Sequence, residues 1–235
     1  MPPVILYHKI DHPTPDVKIR GAFTSPKRFA KQMSYLKKQK FEFYTASELI
    51  KHYRENGEFP ARGITVTFDD GWKDNFTYAF PVMRDLGIKA TIFLVPSLIG
   101  KSSDQVTAEG EGEREHLSAD EIIEMSSHGI EFGSHGLTHR LLHKASAEEI
   151  ETEVKESKSQ IEDLLQKSCD VFAFPAGFFT EEAQIAVRNA GYSAAFSTVY
   201  GDNAVDLYAL NRVEILRRDR LPFRFAKKIQ AIFST

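Results

Sequence analysis

Thr67-Phe68-Asp69-Asp70-Gly71 sets two adjacent carboxylates at the end of an apolar, β-branched run. Like charges side by side repel, so the arrangement asks for something that rewards it, such as a bound cation. Neighbouring residues on a strand face opposite sides. A turn at Gly71, in the common Asp-Gly pair, would let both carboxylates reach one pocket. One could then hold a cation while the other acts as a base. A second cluster, Gly133-Ser134-His135-Gly136-Leu137-Thr138-His139, carries two histidines four residues apart. On a helical turn that spacing puts both imidazoles on one side, where they could share a metal ion. Taken alone, each cluster is as readily a turn or a pair of structural histidines. Taken together they offer two imidazoles and a carboxylate and leave coordination positions for water and substrate, as a hydrolytic zinc site needs.

Both clusters must sit at the same end of one scaffold. Short apolar runs at residues 4–7, 64–68, 90–95, 130–133, 171–174, 194–198 and 213–216 read as strands. They are rich in β-branched and aromatic residues and lack strict alternation, which suits parallel strands covered on both faces. Helix signals fall between them. Ser25-Pro26 opens a helix with Phe29, Met33 and Leu36 on one face. Thr45 to Glu48 and Ser146 to Glu149 read as capping boxes. Thr180 opens a helix ending near Gly191, and residues 223–233 form a closing helix. Strand–helix alternation predicts a parallel sheet or barrel with its chemistry at the C-terminal strand ends. Residues 100–116, polar and acidic, read as a long surface loop near that end. The Glu and Lys residues of 148–167 read as a solvated helix face. His12, His52, His116, His128 and His143 have no matching partners and read as exposed or structural. Cys169, just before a strand, reads as a small buried residue.

The chain has 235 residues, 42% of them hydrophobic, and a net charge of −3. This fits one large α/β domain over residues 1–235 with a sizeable core. The overall balance supplies no basic face for nucleic acid and no bulk attraction to polyanions or anionic lipid. One cysteine excludes an intrachain disulfide. Met1 is followed at once by Pro-Pro-Val-Ile-Leu-Tyr, with no basic leader, long apolar run or cleavage site. No signal peptide or membrane span is therefore expected, and the chain as it stands reads as cytoplasmic. A targeting segment ahead of Met1, if one has been trimmed away, would instead direct the protein to an extracellular or periplasmic location.

The sequence resembles the polysaccharide deacetylases of carbohydrate esterase family four, from Ile5 to about Ile215. TFDDG at 67–71 and SHGLTH at 134–139 match the family's first two motifs in order and separation, and Pro175-Ala176-Gly177 matches the Pro-x-Gly part of the third. The resemblance implies a distorted (β/α) barrel of about seven parallel strands. It implies Asp69 as general base, Asp70, His135 and His139 as ligands of a divalent metal, and the Ala176 N–H as an oxyanion donor. Zn2+ is expected from these ligands, and Co2+ or Ni2+ would fit the same set.

Two family features are missing: an arginine at the position of Ala173, and a C-terminal histidine that acts as the acid. No histidine follows His143. A branch that includes poly-N-acetylglucosamine deacetylases lacks both, beginning with a Tyr-His strand and ending with Leu-x-Arg. Leu6-Tyr7-His8-Lys9-Ile10 and Leu210-Asn211-Arg212 resemble that branch. The acid role therefore falls on His8. Arg212 is expected to replace the missing arginine and hold Asp69 through charge-assisted hydrogen bonds. Trp72, Pro175 and Leu210 are expected beside the substrate. The activity implied is hydrolysis of an N-acetyl group on a carbohydrate. Alternatives are an allantoinase-like amidohydrolase of small cyclic amides and a non-catalytic carbohydrate-binding relative. The expected partner is an N-acetylated carbohydrate, with no nucleic acid and with the oligomeric state open.

Overall fold

A computed structural model describes residues 2–15, 17, 20–103, 113–198 and 205–234. Its elements in chain order are β1 (Val4–Tyr7), α1 (Pro26–Lys38), β2 (Glu42–Phe43), α2 (Ala46–Asn56), β3 (Gly63–Phe68), α3 (Phe80–Asp85), β4 (Ala90–Leu94), β5 (Ser102–Ser103), β6 (Arg114–Glu115), α4 (Ala119–Ser127), β7 (Ile130–Ser134), α5 (Ala147–Leu165), β8 (Val171–Ala173), α6 (Glu181–Asn189), β9 (Ala194–Ser197), β10 (Leu210–Asn211), β11 (Val213–Glu214) and α7 (Phe223–Ile232). Eight strands hydrogen-bond in the order β10-β9-β8-β7-β4-β3-β1-β11, and β2 adds to the outside of β3. All these pairs are parallel. The first and last strands of the ring are neighbours in sequence, separated by Arg212 alone. The barrel is thus nearly closed, and the chain itself crosses the seam. Of the expected run at 213–216 only Val213–Glu214 pairs as a strand, on one edge, while Leu210–Asn211 forms an additional short strand on the other.

The two faces of each strand go to different places. Ile64, Val66 and Phe68 join Phe29, Met33 and Leu36 of α1 in the larger apolar cluster, so they face the helices. With side chains alternating along a strand, Thr65, Thr67 and then Asp69 face the barrel interior. On β7 the same register turns Glu131, Gly133 and then His135 inward. Gly133 has no room for more: a Cβ there would lie 2.7 Å from the Phe93 ring and 2.8 Å from the Val171 carbonyl. The lower interior is filled by Val4, Phe93, Val171, Ala173, Ala194, Phe196 and Leu210, with Leu49 and Ile50 of α2 against them.

The capping boxes at Thr45 and Ser146 form as expected, with Glu48 and Glu149 closing them. A third, Ser118 with Glu121, starts α4. Part of the segment expected as a plain loop is ordered into the antiparallel pair β5–β6, while residues 104–112 lie outside the described set. Glu153 corrects the reading of α5 as carrying only solvated acids. It is 5% exposed and lies on the buried face with Ile150, Val154 and Ile161. No helix among the described residues is long and apolar enough to cross a membrane.

Candidate active site

Asp69 and Asp70 leave β3 in different directions. Asp69 keeps the inward strand register. Asp70 adopts φ +71°, and Gly71 follows at +66°, so the chain turns at the second aspartate itself. A left-handed conformation at a non-glycine residue is uncommon and needs its surroundings to hold it. His116 provides that hold. It is 4% exposed, and its Nδ1 donates to the Asp70 carbonyl at 2.9 Å. The Leu117 N–H also donates to the Gly71 carbonyl, at 2.8 Å. His116 is thus structural, one of the two readings the sequence left open for it, and it acts on a site residue. No spacing motif could have singled it out.

The two histidines do not share a helical turn, which corrects that expectation. His135 directly follows β7, and the chain then loops through Gly136 at φ +78° to His139 at φ +63°. Glu153 holds the loop: Thr138 N–H donates to its Oε2 at 2.9 Å, and the Thr138 hydroxyl donates to its Oε1. A Cβ at Gly136 would meet the same carboxylate at 2.9 Å. The apolar spacing of α5 carried a signal for Glu153, because an acid on the buried stripe of a helix needs a partner.

The loops bring Asp70, His135 and His139 together, each offering a ligand atom within 4.8 Å of the others. Asp70 Oδ1 stands 3.6 Å from His135 Nε2 and 3.3 Å from His139 Nε2. Two of the remaining polar atoms of these ligands are already engaged. His135 Nδ1 donates to the Ala173 carbonyl at 2.7 Å, leaving Nε2 as the lone-pair nitrogen. The Trp72 indole N–H donates to Asp70 Oδ2 at 2.9 Å, leaving Oδ1 free to face the imidazoles. Such outer partners fix the orientation of metal ligands. Burial pushes the Asp70 carboxyl up, but His139, His135, His8 and Lys9 outweigh it and hold it well below the usual range. Burial pushes His135 down.

Asp69 meets Arg212 in a bidentate pair, at 2.7 Å to Oδ1 and 2.8 Å to Oδ2. The arginine side chain is fully buried and that of Asp69 is 4% exposed. Burial raises the Asp69 carboxyl. Arg212 and His135 lower it by more, so it lies below its ordinary value. Asp69 Oδ2 also stands 3.8 Å from His135 Nε2, at the edge of the ligand set. His8 is half-buried at the end of β1, with Nδ1 3.9 Å from Glu214 Oε1 on the neighbouring strand β11. Ala176, exposed between the buried Pro175 and Gly177, sits at φ +56° on the turn after β8.

Three expected substrate contacts are corrected. Trp72 is 2% exposed, with its ring stacked on His116 at 4.2 Å and the Lys9 ammonium 4.4 Å from its centroid. It has no free face for a sugar and serves Asp70 instead. Leu210 is 1% exposed inside the lower core. Pro175 is buried, 3.6 Å from where a Gly136 Cβ would lie, and shapes the loop rather than presenting a surface.

A family profile described as polysaccharide deacetylase matches residues 56–195. The chain belongs to the polysaccharide deacetylase family. Membership places it among hydrolases of the deacetylase class. It is 28% identical over 216 residues to the Bacillus subtilis protein YxkH, covering 91% of this chain and 71% of that one. It is 27% identical over 191 residues to the Staphylococcus aureus poly-β-1,6-N-acetyl-D-glucosamine N-deacetylase, covering 77% of this chain and 62% of that enzyme's length. The fold superposes on the Streptococcus pyogenes deacetylase PplD, solved in complex with acetate, with a TM-score of 0.82, 25% identity and 97% of each chain covered. It also superposes on IcaB from Ammonifex degensii with a TM-score of 0.81, at 20% identity over 98% and 96% of the two chains. The deacetylase barrel is thus shared over almost the whole length.

Proposed function

We propose that this protein is a metal-dependent N-deacetylase that removes the acetyl group from an N-acetylglucosamine unit of a polysaccharide. One observation carries the reading. A two-histidine, one-carboxylate ligand set lies beside a second, arginine-held carboxylate. Binding alone would not need that second carboxylate. The staphylococcal relative's substrate and the acetate in the streptococcal structure point to the same chemistry.

Asp70 Oδ1, His135 Nε2 and His139 Nε2 would hold the ion, and two nitrogens with one oxygen suit Zn2+, Co2+ or Ni2+. A divalent ion there would polarise the acetyl carbonyl and acidify the attacking water. Asp69 accepts the proton from that water. Arg212 keeps Asp69 ionised and fixes both its oxygens, so the base has one orientation. The Ala176 N–H, on the turn beside the histidine loop, donates to the developing oxyanion. His8 gives a proton to the departing amine, which is otherwise a poor leaving group.

Acetate release from N-acetylglucosamine oligomers tests the proposal. Release is expected with added Zn2+, Co2+ or Ni2+, and its loss with chelator or in Asp70→Asn. His8→Ala should lose the basic limb of the pH–rate profile. Turnover of a cyclic ureide with no acetate from any acetylated sugar would replace this reading with the cyclic-amide one.

Trp72 makes metal binding visible. It is the chain's one tryptophan, and its indole N–H bonds to a ligand carboxylate. Adding Zn2+ to metal-free protein is expected to change its emission. Trp72→Phe should weaken metal affinity by roughly tenfold or more, read by chelator competition. Unchanged affinity in Trp72→Phe would reduce the indole to packing.

A further inference from the structure

The net charge of −3 conceals a segregation along the chain. Residues 17–41 and 215–235 carry 14 of the 30 lysines and arginines but only one of the 33 acids, so they hold +13 and the rest of the chain −16. The fold joins these two segments. α1 comes from the first, and α7 with the turn before it from the second. Tyr35 packs against Phe225 with ring centroids 6.1 Å apart, and Gln32 Nε2 donates to the Asp219 carbonyl at 2.8 Å. The single acid, Asp219, is 1% exposed and already paired with Lys228 at 2.7 Å.

The seam between the segments opens into two surface hollows. One, of about 180 Å³, is lined by Arg28, Arg217 and Arg220. Asp11 also reaches it, but its Oδ2 is paired with Arg114 at 2.9 Å. The other, of about 480 Å³, is lined by Lys27, Lys31 and Lys38, with Tyr35 and Leu221 as its apolar part. Arg28 shows the crowding: burial, then Arg220 and Arg217, lower its guanidinium from the ordinary value. Three residues after Arg220 and two after Leu221, which line these hollows, comes Phe223, the first residue of α7, 83% exposed. A phenylalanine left in water beside an array of cations suits a surface that is anionic outside and apolar just beneath.

We propose that this face docks on an anionic phospholipid bilayer, with the lysines and arginines on the lipid phosphates and Phe223 inserted at the acyl boundary. A nucleic-acid duplex would satisfy the cations, but its outer face is sugar and phosphate and gives a protruding phenylalanine less apolar surface to bury against than a bilayer does. Basic residues near an anionic leaflet each strengthen binding about fivefold, and the attraction falls within a Debye length. Burying a phenylalanine side chain adds about tenfold or more.

Co-sedimentation of the full chain with vesicles tests this. Binding is expected to vesicles of phosphatidylcholine mixed with phosphatidylglycerol, not to phosphatidylcholine alone, and should fall steeply as salt is raised. Arg217→Gln with Arg220→Gln should lower partitioning about 25-fold, and Phe223→Ser about tenfold. Acetate release from a soluble substrate should stay at the unsubstituted rate in both. The salt dependence needs no variant, so a misfolded substitution leaves the test intact. Equal binding to phosphatidylcholine, or no binding to the anionic vesicles, would overturn the proposal. So would capture of double-stranded DNA by a chain that ignores those vesicles.

Discussion

Asp69→Asn is expected to keep the metal and cut turnover by roughly 10²–10⁴-fold, the range set by removing a general base. The substitution preserves shape and leaves Asp70, His135 and His139 untouched, so metal affinity has no reason to change more than a few-fold. It also places an amide N–H₂ against the Arg212 guanidinium, where two acceptor oxygens now sit at 2.7 and 2.8 Å. One buried donor then faces another, and a loss of about 1–3 kcal/mol in stability follows. Asp70→Asn should do the opposite, losing the metal together with the activity. Metal content after desalting, measured beside acetate release, separates the two. An Asp69→Asn protein that turns over normally would remove Asp69 from the base role.

The chemistry was legible where two local motifs had to coincide. TFDDG and SHGLTH lie far apart in sequence, and parallel-strand logic alone placed both at one rim. The strands were legible for the same reason, since buried parallel strands are short continuous apolar runs. What escaped was set by tertiary contact. Trp72 and His116 pair through a bridge between two loops, which no spacing encodes. Leu210 matched a motif, yet motif membership does not say which way a side chain faces. The helical reading of His135 and His139 failed because a four-residue spacing is also met by a loop with two left-handed residues. The basic face escaped because a sum over the chain discards position. Its two halves are some 190 residues apart in sequence and meet only when the barrel closes.

Closure is also what gives Arg212 its reach, and the substitution Arg212→Met tests both of its roles. The residue lies between β10, paired to β9, and β11, paired to β1, so its side chain enters the interior at the seam. From there it reaches Asp69, and its Nη1 also lies 3.4 Å from the Thr67 hydroxyl. Ala173, on β8, is small and inward, and its carbonyl orients His135. The arginine therefore comes from across the barrel. Removing one partner of a buried ion pair strands the other, and a loss of about 3–5 kcal/mol is expected.

The pH dependence should carry the signature. In the native chain the lowered Asp69 carboxyl contributes stability that is fully present above the ordinary carboxylate range and is lost only as pH falls through its depressed value. Without Arg212, the largest remaining influence on that carboxyl is burial, which raises it. The ionised form then destabilises the variant at neutral pH, and protonation relieves it. The stability deficit of Arg212→Met should accordingly shrink as pH falls from about 8 to 5, and the acid limb of kcat/KM should move to higher pH. Chemical denaturation across that range and a pH–rate profile read the two effects separately. A deficit independent of pH, with the acid limb unmoved, would mean that Arg212 fills the seam without tuning Asp69.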